Sequence, residues 1–267
     1  MVIESIESLD ELIFPFYRLA CEEILDVYHS GDLRVVSKED SSPVTSADLL
    51  SHRVIKEGLE SIYTGIPVLS EEERYPSTIP SDFWLIDPLD GTKEFINKSD
   101  EFTINIALIC NGMPVYGFVG APALDRVWTS NSINFETSVK SNDSSEPLRI
   151  VGSKSHPTER EVEFLNYLTK QKIDYQYKTY GSSLKICMLA SGEADLYPRF
   201  GPTSEWDIAA AHAVLLAAGG NIIDISSLKP LEYGKKDTIF NPWFVAFSES
   251  LDLAKVSKIF NDFSQNC

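Results

Sequence analysis

The stretch WLIDPLDGTKEF, residues 84–95, carries carboxylates at a spacing that could bind a metal ion. Asp87, Asp90 and Thr92 follow an apolar run, and the proline and glycine among them favour a turn that lets the two carboxylates converge. Carboxylates held close together repel each other unless a cation lies between them, and hard oxygen ligands select Mg²⁺ or a related ion. The alternative is a strand-end turn in which both acids only accept hydrogen bonds from the backbone.

Three further acids occupy comparable places along the chain. Glu71, in LSEEE, follows another apolar run and could share a cation with Asp87 if the two strands are neighbours. Asp207 begins the helix EWDIAAAHAVLLAAGG, and Asp48 lies in the first turn of the helix after PVTSA. Simpler roles remain open, because a run of glutamates usually lies on a solvated face and acids in a first turn usually cap helices.

Together these acids favour metal-assisted phosphoryl transfer to water. Two or three metal ions held by carboxylates can clamp the attacking and leaving oxygens and offset the charge on a phosphate. The chain contains no G-x-x-x-x-G-K-[ST], G-x-S-x-G or H-E-x-x-H motif. Their absence argues against a P-loop NTPase or kinase, a serine hydrolase of the nucleophile-elbow type and a zincin protease.

The elements that must position these acids are predicted from periodicity and turn residues. Residues 4–29 have helical spacing, and a second helix follows Thr45 or Ser46 as its N-cap. Residues 66–69 and 84–86 are predicted as short buried strands, and Asn111-Gly112 predicts a β-hairpin. The polar segment 131–147 is predicted to be a linker or long loop. Strands and helices alternate beyond it, so we expect a layered α/β or α+β protein.

Charge and targeting signals exclude several classes of partner. The formal net charge is −17, of which residues 1–150 contribute −15 and residues 151–267 contribute −2. Such a balance excludes a nucleic-acid polymer as a partner and argues against a basic membrane-surface helix. The first 16 residues lack the features of a signal peptide, and no apolar run is long enough to span a membrane. Cys21, Cys110, Cys187 and Cys267 are scattered, as expected for reduced thiols in a cytoplasmic protein.

The motifs as a set resemble the inositol monophosphatase superfamily of Mg²⁺-dependent phosphatases. The resemblance rests on Glu71 followed by WLIDPLDGT and WDIAAAHAVLLAAGG, and it extends over nearly the whole chain. Within the superfamily, PVLSEE, DPLDGTKEFI, GSSLK and YPRFGPT are most similar to the bacterial CysQ-type 3′(2′),5′-bisphosphate nucleotidases. The resemblance implies the α/β/α/β/α layered sandwich of the sugar phosphatases, with an α+β metal-binding half at residues 1–147 and an α/β substrate-binding half at residues 148–267 in one compact unit.

The resemblance also implies roles for individual residues. Two or three Mg²⁺ ions would be held by the side chains of Glu71, Asp87, Asp90 and Asp207 and by the backbone carbonyl of Leu89. Asp48 and Thr92, with Glu71, would activate the attacking water, and the amides of Gly91 and Thr92 would hold the phosphate that is cleaved. The substrate would also be contacted by Asp207, His156, Ser182, Lys185 and Arg199. From the residues alone, Lys185 could be a solvated lysine, Ser182 a helix N-cap and His156 a surface histidine.

The activity implied by the resemblance is hydrolysis of adenosine 3′,5′-bisphosphate to AMP and phosphate during sulfate assimilation. The phosphoadenylyl sulfate precursor is a second candidate substrate. The implied location is the cytoplasm, with peripheral association with the inner membrane left open, as is the choice between monomer and homodimer. One alternative is a phosphatase of the same superfamily that acts on inositol monophosphate or fructose 1,6-bisphosphate. Another is a non-catalytic nucleotide-binding relative, against which the intact set of acids and Thr92 argues.

Overall fold

The structure is a computed structural model that describes residues 6–30, 35–37, 43–131, 146–235 and 237–265. Its α-helices are α1 (Leu9–Ser30), α2 (Ser46–Ile62), α3 (Thr92–Ile96), α4 (Glu159–Lys170), α5 (Leu184–Ala190), α6 (Glu205–Ala217) and α7 (Leu253–Gln265). Its strands are β1 (Val36–Ser37), β2 (Pro43–Val44), β3 (Val68–Ser70), β4 (Asp82–Asp90), β5 (Thr103–Cys110), β6 (Met113–Ala121), β7 (Arg126–Thr129), β8 (Leu148–Ser153), β9 (Tyr175–Tyr180), β10 (Leu196–Arg199), β11 (Asn221–Asp224) and β12 (Phe244–Phe247).

Two mixed five-stranded sheets, which we name sheet 1 and sheet 2, organise the fold. Sheet 1 has the order β3-β4-β5-β6-β7, in which only the β3–β4 pair is parallel. Sheet 2 has the order β11-β12-β10-β8-β9, in which β8 is parallel to both of its neighbours. Helices α1 and α2 cover one face of sheet 1, α5 and α6 lie between the sheets, and α4 and α7 cover the far face of sheet 2. This arrangement is the predicted α/β/α/β/α sandwich.

The packing of β4 on both of its faces explains why its sequence is apolar without alternation. Trp84 and Ile86 pack with α1 and α2, whereas Phe83 and Leu85 pack with the helices between the sheets. Both faces of the strand are therefore buried, and each side chain contributes to one of two cores. The predicted hairpin after β5 is also confirmed, since Asn111 and Gly112 have φ of 50° and 80°, as a type I′ turn requires.

Helix α6 lies at the centre of the molecule, which accounts for its composition. An Ala-rich helix that is apolar all round suits a position enclosed on both sides. Small side chains also let it approach sheet 1 closely: a Cβ on Gly117 would lie 2.1 Å from the carbonyl oxygen of Ala210. The helix is consequently held at a fixed distance from the strand that carries Gly117.

Several element predictions need correction. Helix α1 begins at Leu9 after a 3₁₀ turn at Ile6–Ser8, later than the predicted start at residue 4, and it continues through Pro15. Strands β9 and β11 were not predicted, because β9 is an edge strand with little buried surface and β11 has only four residues. The predicted linker at 131–147 falls mostly outside the described residues, and the proposed division of the chain into halves between residues 147 and 148 stays a prediction. No helix in the described ranges is long and apolar enough to cross a membrane.

Candidate active site

The two strands that carry Glu71 and Asp87 are neighbours in sheet 1. Strand β3 runs parallel to β4 with Ser70 opposite Ile86, and the amide of Glu71 donates to the carbonyl of Ile86 at 3.2 Å. The condition that the sequence left open, that these two strands are neighbours, is therefore met. Glu71 is partly exposed and Asp87 is buried, and both line one pocket.

A bulge in β4 brings Asp90 to the same pocket. The predicted end of this strand at residue 86 is wrong, because β4 continues to Asp90 with a shift of register between Asp87 and Asp90. Residues three apart in a regular strand point to opposite faces, and the extra residue of a bulge changes this relation. The bulge also accommodates Pro88, which cannot donate to a strand ladder. The carbonyl of Pro88 accepts a hydrogen bond from Ser51 Oγ at 2.8 Å, and this bond fixes the bulge against α2.

Asp207 reaches the pocket from the first turn of α6. Its Oδ2 accepts a hydrogen bond from the amide of Ser204 at 2.9 Å, completing a capping box. The capping role that the sequence left open is thus real, but it involves one oxygen of the carboxylate and leaves Asp207 in the lining of the pocket. Capping and ligand roles are compatible at this position.

Asp48 occupies the equivalent place at the start of α2. Its Oδ2 accepts hydrogen bonds from both the amide and the hydroxyl of Thr45, at 2.8 and 2.5 Å. Its Oδ1 accepts one from the hydroxyl of Thr92 at 3.1 Å. Asp48 is buried, and this burial raises its pKa even though the hydrogen bonds from Thr45 and Thr92 favour the charged form. The predicted pair is therefore in contact, with the hydroxyl donating to the carboxylate.

Electrostatics distinguish this group of acids from an ordinary polar turn. Burial, followed by the charges of Glu71, Asp90 and Asp207, raises the pKa of Asp87 well above its usual value. Burial raises the pKa of Asp90 to about 6, and burial together with Asp90 and Glu71 raises that of Asp207. Acids that raise one another's pKa values in this way gain stability from a cation placed among them.

The donors fit a hard divalent cation. The donor atoms available at the pocket are the carboxylate oxygens of its acids and the carbonyl oxygen of buried Leu89. This carbonyl oxygen lies 3.4 Å from the hydroxyl of Thr92. All are oxygen ligands, which Mg²⁺ prefers. Across the described residues, no three Asp, Glu, His or Cys side chains already stand close enough to hold one ion. The fit therefore rests on the chemistry and the mutual repulsion of the donors, and binding requires the side chains to close around the ion.

A second group of lining residues, which we name the cationic wall, contains Lys185 and Arg199. Lys185 and Arg199 are each 7% exposed, and burial lowers the pKa of Lys185 to about 8. The interpretation of Lys185 as a solvated lysine is therefore wrong, since its ammonium donates to the carbonyls of Tyr180 and Ser182. His156 is exposed, so the interpretation as a surface histidine is correct, and it also lines the pocket.

Two buried polar atoms on this wall lack protein partners. Ser182 Oγ and Arg199 Nε make no hydrogen bond within the described part of the chain. Ser182 is not the N-cap of α5, because that position belongs to Ser183. Buried polar groups are nearly always satisfied, so unpaired atoms lining a pocket indicate a polar ligand or water.

The pocket brings together nearly all of the predicted site residues. It is lined by Glu71, Asp87, Leu89, Asp90, Gly91, Thr92, His156, Ser182, Lys185, Arg199 and Asp207, and Asp48 lies behind Thr92. Lining residues that the sequence did not single out include Lys93, Glu94, Ser153, Ser183, Tyr197 and Trp206. Lys93 and Glu94 directly follow Thr92, and that adjacency was the one signal that could have identified them.

Comparisons with known proteins agree with this geometry. The model of the inositol monophosphatase family matches residues 7–253. A 3′(2′),5′-bisphosphate nucleotidase CysQ of Escherichia coli O157:H7 is 42% identical over 238 residues, covering 85% of this chain and 94% of the relative. The crystal structure of CysQ from Bacteroides thetaiotaomicron has a TM-score of 0.77 at 33% identity, covering 91% of this chain and 98% of that one. An inositol monophosphatase/NADP phosphatase solved with Mg²⁺ and phosphate has a TM-score of 0.74 at 17% identity, with 94% of each chain covered, and shares the fold.

Proposed function

Because this chain belongs to the inositol monophosphatase family, we propose that it is a divalent-metal-dependent phosphatase that removes the 3′-phosphate of adenosine 3′,5′-bisphosphate. The products are AMP and inorganic phosphate. The substrate follows from the similarity to the CysQ bisphosphate nucleotidases, whose sequences this chain matches over most of their length.

One observation carries the proposal: a single pocket is lined both by a group of carboxylates, the carboxylate wall, and by the buried cations of the cationic wall. The carboxylates suit metal ions at the phosphate that is cleaved, and Lys185 and Arg199 suit a second phosphate that is retained. A substrate with one phosphate and a neutral sugar would leave buried Arg199, which forms no ion pair with a carboxylate in the described residues, without a counterion, which is costly.

The metal ions would be held by Glu71, Asp87, Asp90 and Asp207 through their carboxylates and by Leu89 through its carbonyl, with two or three ions in the loaded site. When bound, they supply Lewis acidity and offset the charge that develops on the phosphate. The amides of Gly91 and Thr92, at the start of α3, would orient that phosphate.

Thr92 and Asp48 handle the proton of the attacking water. Since the Thr92 hydroxyl donates its own proton to Asp48, its lone pairs are available to accept a hydrogen bond from a water molecule. As the water attacks the phosphorus in line, its proton passes to Thr92 Oγ1 while that of Thr92 passes to Asp48. The bond between phosphorus and O3′ breaks, and the departing 3′-oxygen takes a proton from solvent water to give the 3′-hydroxyl of AMP. Burial raises the pKa of Asp48, which makes its carboxylate a better proton acceptor. Glu71, itself one of the proposed metal ligands, completes this group.

The rest of the pocket positions the nucleotide. Ser182 Oγ and the Arg199 guanidinium have unused donors, and Lys185 and His156 lie on the same wall. The proposal includes phosphoadenylyl sulfate as a second substrate, because it carries the same 3′-phosphate, and a cytoplasmic role in clearing a by-product of sulfate assimilation.

A phosphate-release panel tests the proposal. Purified protein is assayed with adenosine 3′,5′-bisphosphate, inositol 1-phosphate and fructose 1,6-bisphosphate, each with Mg²⁺ and with EDTA. We expect Mg²⁺-dependent release with kcat/KM at least about tenfold higher for the nucleotide, the effect of one well-placed ionic contact. Comparable turnover of inositol 1-phosphate would overturn the nucleotide assignment, and release that is unaffected by EDTA would overturn the metal requirement.

A further inference from the structure

The pocket is lined by a third cation, Lys93, to which the proposed function assigns no role. Lys93, Lys185 and Arg199 all line the pocket, and none forms an ion pair with a carboxylate in the ranges that the structure describes. Lys93 follows Thr92 directly in α3, and its side chain is exposed. A cation that lines a substrate pocket without an acidic partner is available to an anionic ligand.

Lys93 and Arg199 meet at His156. The ammonium of Lys93 donates to His156 Nε2 at 2.7 Å, and Arg199 Nη1 donates to the carbonyl of the same histidine at 3.3 Å. Burial, Lys93 and Arg199 all lower the pKa of His156, so the ring is neutral at neutral pH. The histidine thus holds the lysine in place without neutralising it.

The charge of a second phosphate requires more than Arg199. A phosphate monoester carries about −1.5 to −2 at neutral pH. Lys185 faces Asp90, Glu94 and Asp207, whose charges act on its ammonium, so part of its charge is balanced by the acids of the site. Arg199 alone leaves a charge of about −0.5 to −1 on the phosphate. Lys93 is the remaining lysine or arginine that lines the pocket within the described residues.

We propose that Lys93 is a specificity-determining residue that, together with Arg199, binds the phosphate that is not cleaved. This inference rests on the proposed function, because it names a residue that selects a bisphosphate over a monophosphate. Lys93 exchanges its contact with the neutral imidazole of His156 for a charged contact with a phosphate oxygen, and the histidine keeps the side chain oriented while the pocket is empty.

The test measures discrimination between two nucleotides that differ only in the second phosphate. For wild type and Lys93→Met, kcat/KM is determined with adenosine 3′,5′-bisphosphate and with adenosine 3′-monophosphate, with Mg²⁺ present. We expect the ratio of the two values to fall about tenfold in the variant, the effect of one charge-assisted contact. Lys93→Arg should keep most of the wild-type ratio. The inhibition constant of AMP, which carries only the retained phosphate, should rise about tenfold in Lys93→Met, and that of inorganic phosphate should rise less.

Lys154→Met is the matched control. Lys154 is an exposed lysine that pairs with Glu101 near the same face, but it does not line the pocket. Its replacement removes the same charge and should leave the ratio unchanged. Equal losses on both nucleotides in Lys93→Met, or an unchanged ratio, would overturn the inference while the proposed function stands. If wild type shows no preference for the bisphosphate, the proposed function and the inference both fail.

Discussion

At the scale of single residues, the acids of the site perform two tasks at once. Asp48 and Asp207 each cap a helix through Oδ2 and also face the pocket or its threonine. A carboxylate has two oxygens and about four acceptor sites, so one oxygen can hold a helix terminus while the other serves chemistry. The sequence left capping and ligand roles as alternatives, and the geometry shows that they are compatible.

Thr92→Val tests the proton relay. The substitution keeps the shape of the side chain but removes the hydroxyl that donates to Asp48. We expect kcat to fall by about 100-fold or more, within the usual range for a lost general acid–base step, while Mg²⁺ affinity measured by calorimetry changes little. Thr92→Ser should restore most of the rate. An active Thr92→Val protein would show that the water loses its proton by another route.

Asp90→Asn separates metal binding from folding. Because Asp90 lies among acids that repel it, removing its charge should stabilise the metal-free protein and raise its Tm at pH 8 by about 2–4 °C, which corresponds to about 1 kcal/mol. The rise in Tm caused by Mg²⁺ should shrink, and phosphate release should fall at least about 100-fold. Asp100→Asn removes the same charge from an exposed position and serves as the control. A destabilised variant with an unchanged Mg²⁺ response would contradict the assignment of this carboxylate.

At the scale of secondary structure elements, the site depends on one irregular strand and one enclosed helix. The bulge in β4 makes Asp87 and Asp90 neighbours, and the packing of α6 between the two sheets fixes the position of Asp207. Sequence patterns predicted that both elements exist. They could not predict the bulge, because Asp-Pro and Asp-Gly pairs are equally typical of a turn that ends a strand.

Gly117→Ala tests the close approach of α6 to sheet 1. The added methyl group would lie 2.1 Å from the carbonyl oxygen of Ala210, so the helix must move. We expect a loss of about 1–3 kcal/mol in the free energy of unfolding, together with weaker Mg²⁺ binding, because α6 carries Asp207. Gly65→Ala is the matched control, since a Cβ at Gly65 would have no atom within 4 Å. Equal stabilities of the two variants would show that the contact does not set the helix position.

His212 gives α6 a defined response to pH. The ring is fully buried, hydrogen-bonded at Nδ1 to Tyr233 at 2.8 Å and at Nε2 to Asn221 at 3.3 Å, and burial lowers its pKa to about 4. In the unfolded chain the histidine ring binds a proton near pH 6.5, whereas in the folded chain it stays neutral until the pH approaches about 4. The free energy of unfolding therefore decreases as the pH falls from about 6.5 to 4.

Urea unfolding of wild type and His212→Gln at pH 7 and pH 5 measures this effect. The loss of unfolding free energy between the two pH values should be about 2 kcal/mol larger in wild type than in the variant. Taking the difference between the proteins cancels the titration of the other groups, which they share. Equal losses would mean that the histidine is protonated in the folded protein.

At the scale of the whole molecule, features that depend on local sequence patterns could be predicted, whereas contacts between distant segments could not. The layered class, the hairpin at Asn111-Gly112 and the central helix α6 follow from local patterns and are confirmed. The meeting of the carboxylate wall with Lys185 and Arg199 in one pocket depends on stacking sheet 1 against sheet 2 through α5 and α6, which no local pattern encodes. Before the structure, only the family resemblance grouped these acids and cations into one site. The structure adds the elements that carry them.

The uneven charge of the chain acquires a partial explanation at this scale. Asp48, Glu71, Asp87 and Asp90 belong to the strongly acidic first half, whereas Lys185 and Arg199 belong to the nearly neutral second half. A net charge of −17 argues against a nucleic-acid polymer as partner, but a bound cation and a few fixed cations determine the local potential for a small polyanion.

The most direct test of the central claim is to identify the product formed from adenosine 3′,5′-bisphosphate. Phosphorus NMR of the reaction with Mg²⁺ follows the two phosphates separately, and chromatography against standards distinguishes the two nucleoside monophosphates. The account predicts AMP and inorganic phosphate in equal amounts, with no product when EDTA replaces Mg²⁺. Accumulation of adenosine 3′-monophosphate would contradict it, because the carboxylate wall would then act on the phosphate assigned to the cationic wall.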